Sequence, residues 1–132
     1  ETGHLILSTL HTNNAAQTID RIIDSFPAAQ QSQIRVQLAS TLVGIVSQRL
    51  IPRIHGGLIP AAEIMIATPA VRNLIREGKA HEIDFVVDTG SDQGMLSLNR
   101  SLAELIRRGE VAVEQAAAYS LNPQELALLL RK

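Results

Sequence analysis

The sequence predicts a mixed α/β unit over residues 1–67 followed by an α-helical subdomain over residues 68–132, with helix dominant overall. A nearly unbroken apolar run at residues 5–10 leads directly into a helical pattern, which is typical of a strand covered by helices on both faces of a parallel sheet. Two apolar stretches flank His55-Gly56-Gly57 and indicate a β-hairpin. After residue 67 only helical periodicity remains.

The composition narrows the class of protein. A chain of 132 residues is long enough for one domain, and its core must be aliphatic because it has two Phe, one Tyr and no Trp. The 12 basic and 13 acidic residues nearly cancel, which argues against a nucleic-acid interface. The absence of cysteine excludes disulfides, thiolate metal sites and cysteine nucleophiles. No apolar run reaches about 18 residues, so no transmembrane helix is predicted.

Residues 5–10 have the pattern of a strand that is buried in a sheet. Its parallel neighbours would have to come from sequence that precedes Glu1, and an exposed apolar edge invites pairing with another chain. This strand and the helix after it are therefore expected to be rearranged, swapped or used in self-association. A helix follows, with Asn14 as its N-cap, Gln17 completing a capping box, and Pro27 ending it.

A second helix is predicted from residue 28 to residue 47, with a wide apolar surface. Gly44 would lie inside it at a cost of about 1 kcal/mol relative to Ala, which implies close packing there. Strands at residues 48–54 and 58–66 then form the hairpin, and Pro52 and Pro60 place them at sheet edges.

The third helix has clear boundary signals, since Thr68 caps it, Pro69 takes its first position and Gly78 follows its end. Its outward-facing residues are predicted to be Arg72, Asn73, Arg76 and Glu77. Further helices are predicted at residues 80–88, 95–108 and 113–119, and a last one begins at Pro123 with Asn122 as its cap.

His4 and His11 bracket the first strand and are not expected to share a metal ion. Their odd separation puts them on opposite faces of a strand, and at ~3.3 Å per residue they lie ~23 Å apart. His11 is at the carboxyl end, where open α/β sheets bind ligands, next to a helix N-terminus that favours anions. With the hydroxyls of Thr9 and Thr12 as extra donors, a phosphate near His11 is one reading. The other reading is that His11 is a structural histidine and that Thr12 caps the helix.

Several motifs resemble one family of motors. Residues 2–15 resemble the His box of the secretion ATPase superfamily, which are hexameric P-loop motors with a RecA-like core. Residues 68–77 resemble the Ala-Ile-Arg-Asn-Leu-Ile-Arg-Glu signature of PilT-type type IV pilus retraction ATPases, with Val71 in place of Ile. Residues 63–66, 94–99 and 105–109 also fit that family. Assembly-type and type II secretion ATPases usually carry a Cys-x-x-Cys insertion, and its absence here favours a retraction-type motor.

The resemblance implies roles for individual residues. His11 would lie near the γ-phosphate and sense the nucleotide, His4 would be the weaker member of the His box, and Thr9 and Thr12 would lie near the phosphate. The retraction motif, which would contact another subunit or machine component, consists of Arg72, Asn73, Leu74, Ile75, Arg76 and Glu77.

The resemblance also describes an intact parent protein. It would be a cytoplasmic hexamer, peripheral to the inner membrane, that uses ATP and Mg²⁺ to retract type IV pili and drive twitching motility. The Walker A and Walker B segments precede the His box in the family and are not in this sequence. The chain alone is therefore expected neither to bind ATP tightly nor to hydrolyse it, and to carry no cofactor. Two alternatives stay open: a non-catalytic helical module for oligomerisation or partner binding, and part of a related type II secretion or pilus assembly ATPase.

Overall fold

The computed structural model describes residues 3–132, so Glu1 and Thr2, which begin the predicted α/β unit and the His-box resemblance, lie outside the described residues. Nine helices and strands follow one another in the described range: α1 (Ala15–Asp24), α2 (Ala28–Thr41), β1 (Gly44–Pro52), β2 (Leu58–Ile66), α3 (Pro69–Arg76), α4 (Ile83–Thr89), α5 (Leu98–Arg107), α6 (Val113–Tyr119) and α7 (Pro123–Leu130). Short 3-10 turns at Ala80–Glu82 and Ser91–Gln93 precede and follow α4. A mixed fold that is mainly helical is thereby confirmed.

Residues 5–10 have a strand pattern but do not form a strand in a sheet, which agrees with the expectation that this segment loses its normal pairing in this chain. Residues 4–12 have no regular secondary structure, and Leu5, Ile6 and Leu7 are 81%, 82% and 88% exposed. A strand of this kind is stable only when neighbours pair with its main chain and cover its side chains. The only sheet among residues 3–132 contains β1 and β2, and neither pairs with this segment.

Helix α1 has Asn14 as its predicted N-cap, but the Gln17 side chain of the predicted capping box bonds Asn13, one residue before the cap. The Asn14 side chain accepts a hydrogen bond from the Gln17 N–H at 2.8 Å, and the Gln17 side chain accepts one from the Asn13 N–H at 2.6 Å. The buried face of the helix includes Ile19 and Ile23. The helix therefore forms without the strand that was expected to precede it.

The second predicted helix is too long by six residues, because α2 ends at Thr41 and β1 begins at Gly44. The β-branched residues that follow Gly44 favour a strand over a helix. Gly44 pairs with Ile66, and a Cβ at this position would lie 2.9 Å from the Met65 carbonyl oxygen. The glycine allows close strand pairing, and the prediction that it sits inside a helix is wrong.

The β-hairpin is confirmed. Strands β1 and β2 pair antiparallel from Gly44↔Ile66 to Pro52↔Leu58, and the turn uses positive φ angles at Gly56 and Gly57. The free edge of β2 forms a bridge with Leu96, just before α5. Because Leu96 pairs with the sheet edge, α5 begins three residues later than predicted, with Ser97 as its cap.

The core consists of two aliphatic clusters, and the hairpin contributes to both. The first includes Ile19, Val71 and Ile83 and is built from α1–α4, with Met65 of β2. The second joins Ile51 and Ala61 of the hairpin to α5, α6 and α7. Within residues 3–132, every helix falls short of the length and apolar character that crossing a membrane requires.

Candidate functional site

The candidate site is the junction at residues 11–15, where the irregular N-terminal segment enters α1. His11 is exposed, and the guanidinium Nη1 of Arg21 donates a hydrogen bond to its carbonyl oxygen at 3.2 Å. The main chain at His11 is thus held by α1. His4 and Thr9 are also exposed, in the segment without regular secondary structure.

Hydroxyl hydrogen bonds hold Thr12, the residue after His11, against α1. Thr18 donates its hydroxyl proton to the Asn14 carbonyl oxygen at 2.9 Å, and the Thr12 and Thr18 hydroxyl oxygens are 2.5 Å apart. Because the Thr18 proton is already used, Thr12 is the donor in that contact. Thr12 was predicted to donate to a phosphate, and in this structure its proton is given to Thr18.

Two hairpin side chains reach the same junction. The guanidinium Nη2 of Arg49 donates to the Asn13 side-chain oxygen at 2.6 Å, and the Glu63 Oε1 accepts from the Ala15 N–H at 2.8 Å. The sequence reasoning assigned no role to either. The sequence did carry a signal for Glu63, since it is the one charged residue of the apolar strand 58–66 and shares a strand face with Ala61 and Met65.

Glu63 is a buried carboxyl group, with 6% of the residue exposed. Burial raises its pKa, the hydrogen bond from the Ala15 N–H works in the opposite direction, and the charges of Asp84 and Asp88 raise it further. Burial also raises the pKa of Asp84, and the neighbouring charge of Asp88 adds to that effect. These groups favour their neutral forms more than exposed carboxyls do.

The three carboxyls line a cavity of about 260 Å³ between α1, α4 and the start of α5. Asn99 and Glu125 also line it. Acidic residues alone do not make a metal site, and across the described part of the chain no three His, Asp or Glu side chains are placed to hold a metal ion together.

The predicted retraction motif on α3 divides into two sets. Arg72 is half-buried, and its guanidinium donates to the Ala39 carbonyl oxygen in the last turn of α2, so the prediction that it faces outward is wrong. Ile75 is buried and Leu74 half-buried. The exposed set is Asn73, Arg76 and Glu77, in which Arg76 donates to the Asn73 side chain.

Both the junction at residues 11–15 and the α3 motif lie within sequence that matches known proteins. The profile of the Type II/IV secretion system protein family matches residues 1–56. A twitching motility protein of Neisseria gonorrhoeae is 44% identical over 128 residues, which is 96% of this chain and 34% of that protein. The type IV pilus retraction ATPase PilT of Pseudomonas aeruginosa is 44% identical over 124 residues, covering 94% of this chain and 36% of the relative.

A solved structure agrees in three dimensions. The crystal structure of the pilus retraction motor PilT with bound ADP superposes with a TM-score of 0.85 at 43% identity, over 97% of this chain and 36% of that one. The chain therefore spans about a third of the length of these relatives, and the matched third includes both the junction and the α3 motif.

Proposed function

Because the chain belongs to the PilT-type ATPases of the type II/IV secretion system protein family, we propose that it is part of an ATP-driven motor that retracts type IV pili. The observation that carries this proposal is the 44% identity over 96% of the chain. The bound ADP of the solved relative supports a nucleotide ligand, with Mg²⁺ as the ion that neutralises phosphate charge during phosphoryl transfer.

In this proposal His11 contacts the γ-phosphate through its imidazole and reports the nucleotide state. Its exposure at the entrance to α1 supports the assignment. The main-chain N–H groups of Ala15 and Gln17 already have acceptors in Glu63 and Asn14. An anion at this helix end would have to compete with a carboxylate, so the side chain of His11, more than the helix N-terminus, is the proposed contact. Thr9, Thr12 and His4 remain secondary candidates.

The α3 motif has the second proposed role. Asn73, Arg76 and Glu77 form an exposed polar face that is suited to contact another subunit or a component of the pilus machinery. Arg72, Leu74 and Ile75 would support that face by holding α3 against the core. A homohexamer in the cytoplasm at the inner membrane, and a division of the chain into a RecA-like remnant at 1–67 and a helical subdomain at 68–132, complete the proposal.

The test uses the full-length protein that carries this chain. His11→Ala is compared with His55→Ala, which changes an exposed histidine in the hairpin turn. Loss of one contact to a transition-state charge typically lowers turnover by 10² or more, so His11→Ala is expected to reduce steady-state ATP hydrolysis at least ~tenfold. His55→Ala should retain wild-type turnover. Full-length protein without ATPase activity, or equal rates for the two variants, would refute the proposal.

The 132-residue chain alone is expected to release no phosphate from ATP above the buffer rate. A measurable turnover of this chain that His11→Ala abolishes would contradict that expectation.

A non-catalytic interaction module remains the second candidate, because Leu5, Ile6 and Leu7 expose apolar surface that a partner could cover.

Arg76→Ala in the full-length motor tests whether the exposed face of α3 serves pilus retraction or ATP hydrolysis. Lost pilus retraction with retained ATP hydrolysis supports a coupling contact, whereas unchanged retraction removes that role from Arg76.

A further inference from the structure

We infer that Arg49 and Glu63 of the β-hairpin are positioning residues that hold the His11 junction in place for its contact with nucleotide. This inference rests on the proposed function, because it gives the junction a reaction to serve. The two residues act through Asn13 and Ala15 and do not themselves touch the phosphate.

The hairpin register brings these two side chains together. Glu63 pairs with Ser47 and Arg49 pairs with Ala61, so Arg49 and Glu63 are diagonal neighbours on one face of the sheet. Their contacts fall on residues 13 and 15, immediately after His11, at 2.6 Å and 2.8 Å. The Arg49 guanidinium and the Glu63 carboxyl group, on one surface, thus hold the same short stretch of chain.

The hairpin is itself firmly held. Ile64 and Leu96 exchange main-chain hydrogen bonds at 2.8 Å and 3.0 Å, and the Ala62 N–H donates to the Ser101 hydroxyl at 3.1 Å. The junction is therefore tied to a surface that α5 fixes from the other side. The segment upstream of His11 gives no comparable support, since residues 5–10 belong to no sheet.

Removing the Glu63 carboxyl group is expected to disturb the junction more than removing the Arg49 guanidinium. Ala15 is 1% exposed, so its N–H has no access to bulk water if the carboxylate is removed. The chain would have to shift to satisfy that donor. A shift of about 1 Å in a contact group is enough to lower a rate by up to ~10², which is why a distant hairpin residue can affect the reaction.

The experiment measures ATP hydrolysis and hydrogen exchange in the full-length protein. Glu63→Leu and Arg49→Met remove the two contacts, and Glu63→Gln retains an oxygen that accepts from the Ala15 N–H. Arg53→Met is the matched control, because it breaks the Arg53–Glu110 ion pair (2.6 Å) of the same hairpin without touching the junction.

Glu63→Leu and Arg49→Met are expected to lower kcat about tenfold with KM for ATP changed less than about twofold, and to speed amide exchange at residues 13–17 about tenfold. Glu63→Gln should recover kcat to within about threefold of wild type. Arg53→Met should match wild type in both measurements.

Two results would overturn the inference. In one, Arg49→Met and Glu63→Leu behave like Arg53→Met in turnover and exchange. In the other, Glu63→Gln is as impaired as Glu63→Leu, which would assign Glu63 a role other than accepting from Ala15. If Glu63→Leu does not fold, the turnover and amide exchange of Arg49→Met and Glu63→Gln still test the inference. Failure of the proposed function is distinct: it would appear as wild-type protein without turnover, and amide exchange would then test the positioning contacts by itself.

Discussion

Arg72 and Arg76 are four residues apart on α3, yet the structure gives them different roles, and their methionine variants should separate in stability. Arg72 donates to the Ala39 carbonyl oxygen, whereas the guanidinium of Arg76 bonds the side chain of Asn73 on the same exposed face. Methionine keeps most of the apolar stem of each side chain and removes only the charge and its donors.

The magnitude follows from the position of Ala39. It lies in the last turn of α2, where main-chain carbonyls have no partner within the helix, and the residue is fully buried. A hydrogen bond from a charged donor contributes about 1.5–3 kcal/mol, and a cation near a helix C-terminus adds about 0.3–1 kcal/mol. Since Arg72 is only half-buried, solvent screening reduces these values, and about 1.5 kcal/mol is expected for Arg72→Met.

Urea unfolding at pH 7, followed by far-UV circular dichroism, measures the difference. With a slope of about 1.5 kcal/mol per molar urea, Arg72→Met should lower the midpoint by about 1 M. Arg76→Met should stay within about 0.5 kcal/mol of wild type, as surface substitutions usually do. Equal stabilities for the two variants would show that the Arg72–Ala39 contact does not hold α3 against α2.

Three further predictions concern the core and the strand boundaries. Glu63→Gln should raise the melting temperature at pH 7 and lose that advantage below about pH 4. The reason is that a carboxyl whose folded-state pKa is raised stabilises the fold when it is protonated, and loses that contribution as pH rises through the raised pKa. The same difference in melting temperature at both pH values would contradict this prediction. Gly44→Ala should destabilise by about 1–3 kcal/mol, because the new Cβ lies 2.9 Å from the Met65 carbonyl oxygen; in a helix the same change would stabilise by about 1 kcal/mol, so chemical denaturation gives the sign. Asn99→Leu should lower the free energy of unfolding in urea by about 2–3 kcal/mol. Asn99 is buried, its side-chain oxygen accepts from Ser120, and its side-chain nitrogen donates to the Asn122 carbonyl oxygen and the Glu125 carboxylate. A loss below about 0.5 kcal/mol would show that these hydrogen bonds do not join α5 to α7.

Local signals predicted most of the helices. Thr68 and Asn122 cap α3 and α7 as expected, each with proline in the first helical turn, and α6 has the predicted bounds. These features depend on a few adjacent residues whose backbone preferences and hydrogen bonds act locally. The hairpin was predictable for the same reason, since two consecutive glycines supply the positive φ angles of its turn.

The sequence by itself determined the capped helices, the hairpin, the aliphatic core and the motifs of the family, because each depends on residue type and short spacing. The tertiary structure alone decided the remaining points. Residues 5–10 have the pattern of a strand, but a strand requires partners, and the described chain provides none to pair with them. Arg72 turns inward because an unpaired carbonyl at the end of α2 lies beside it, 33 residues away in sequence. Glu63 meets Ala15 across 48 residues, a contact that depends on strand register and helix packing together.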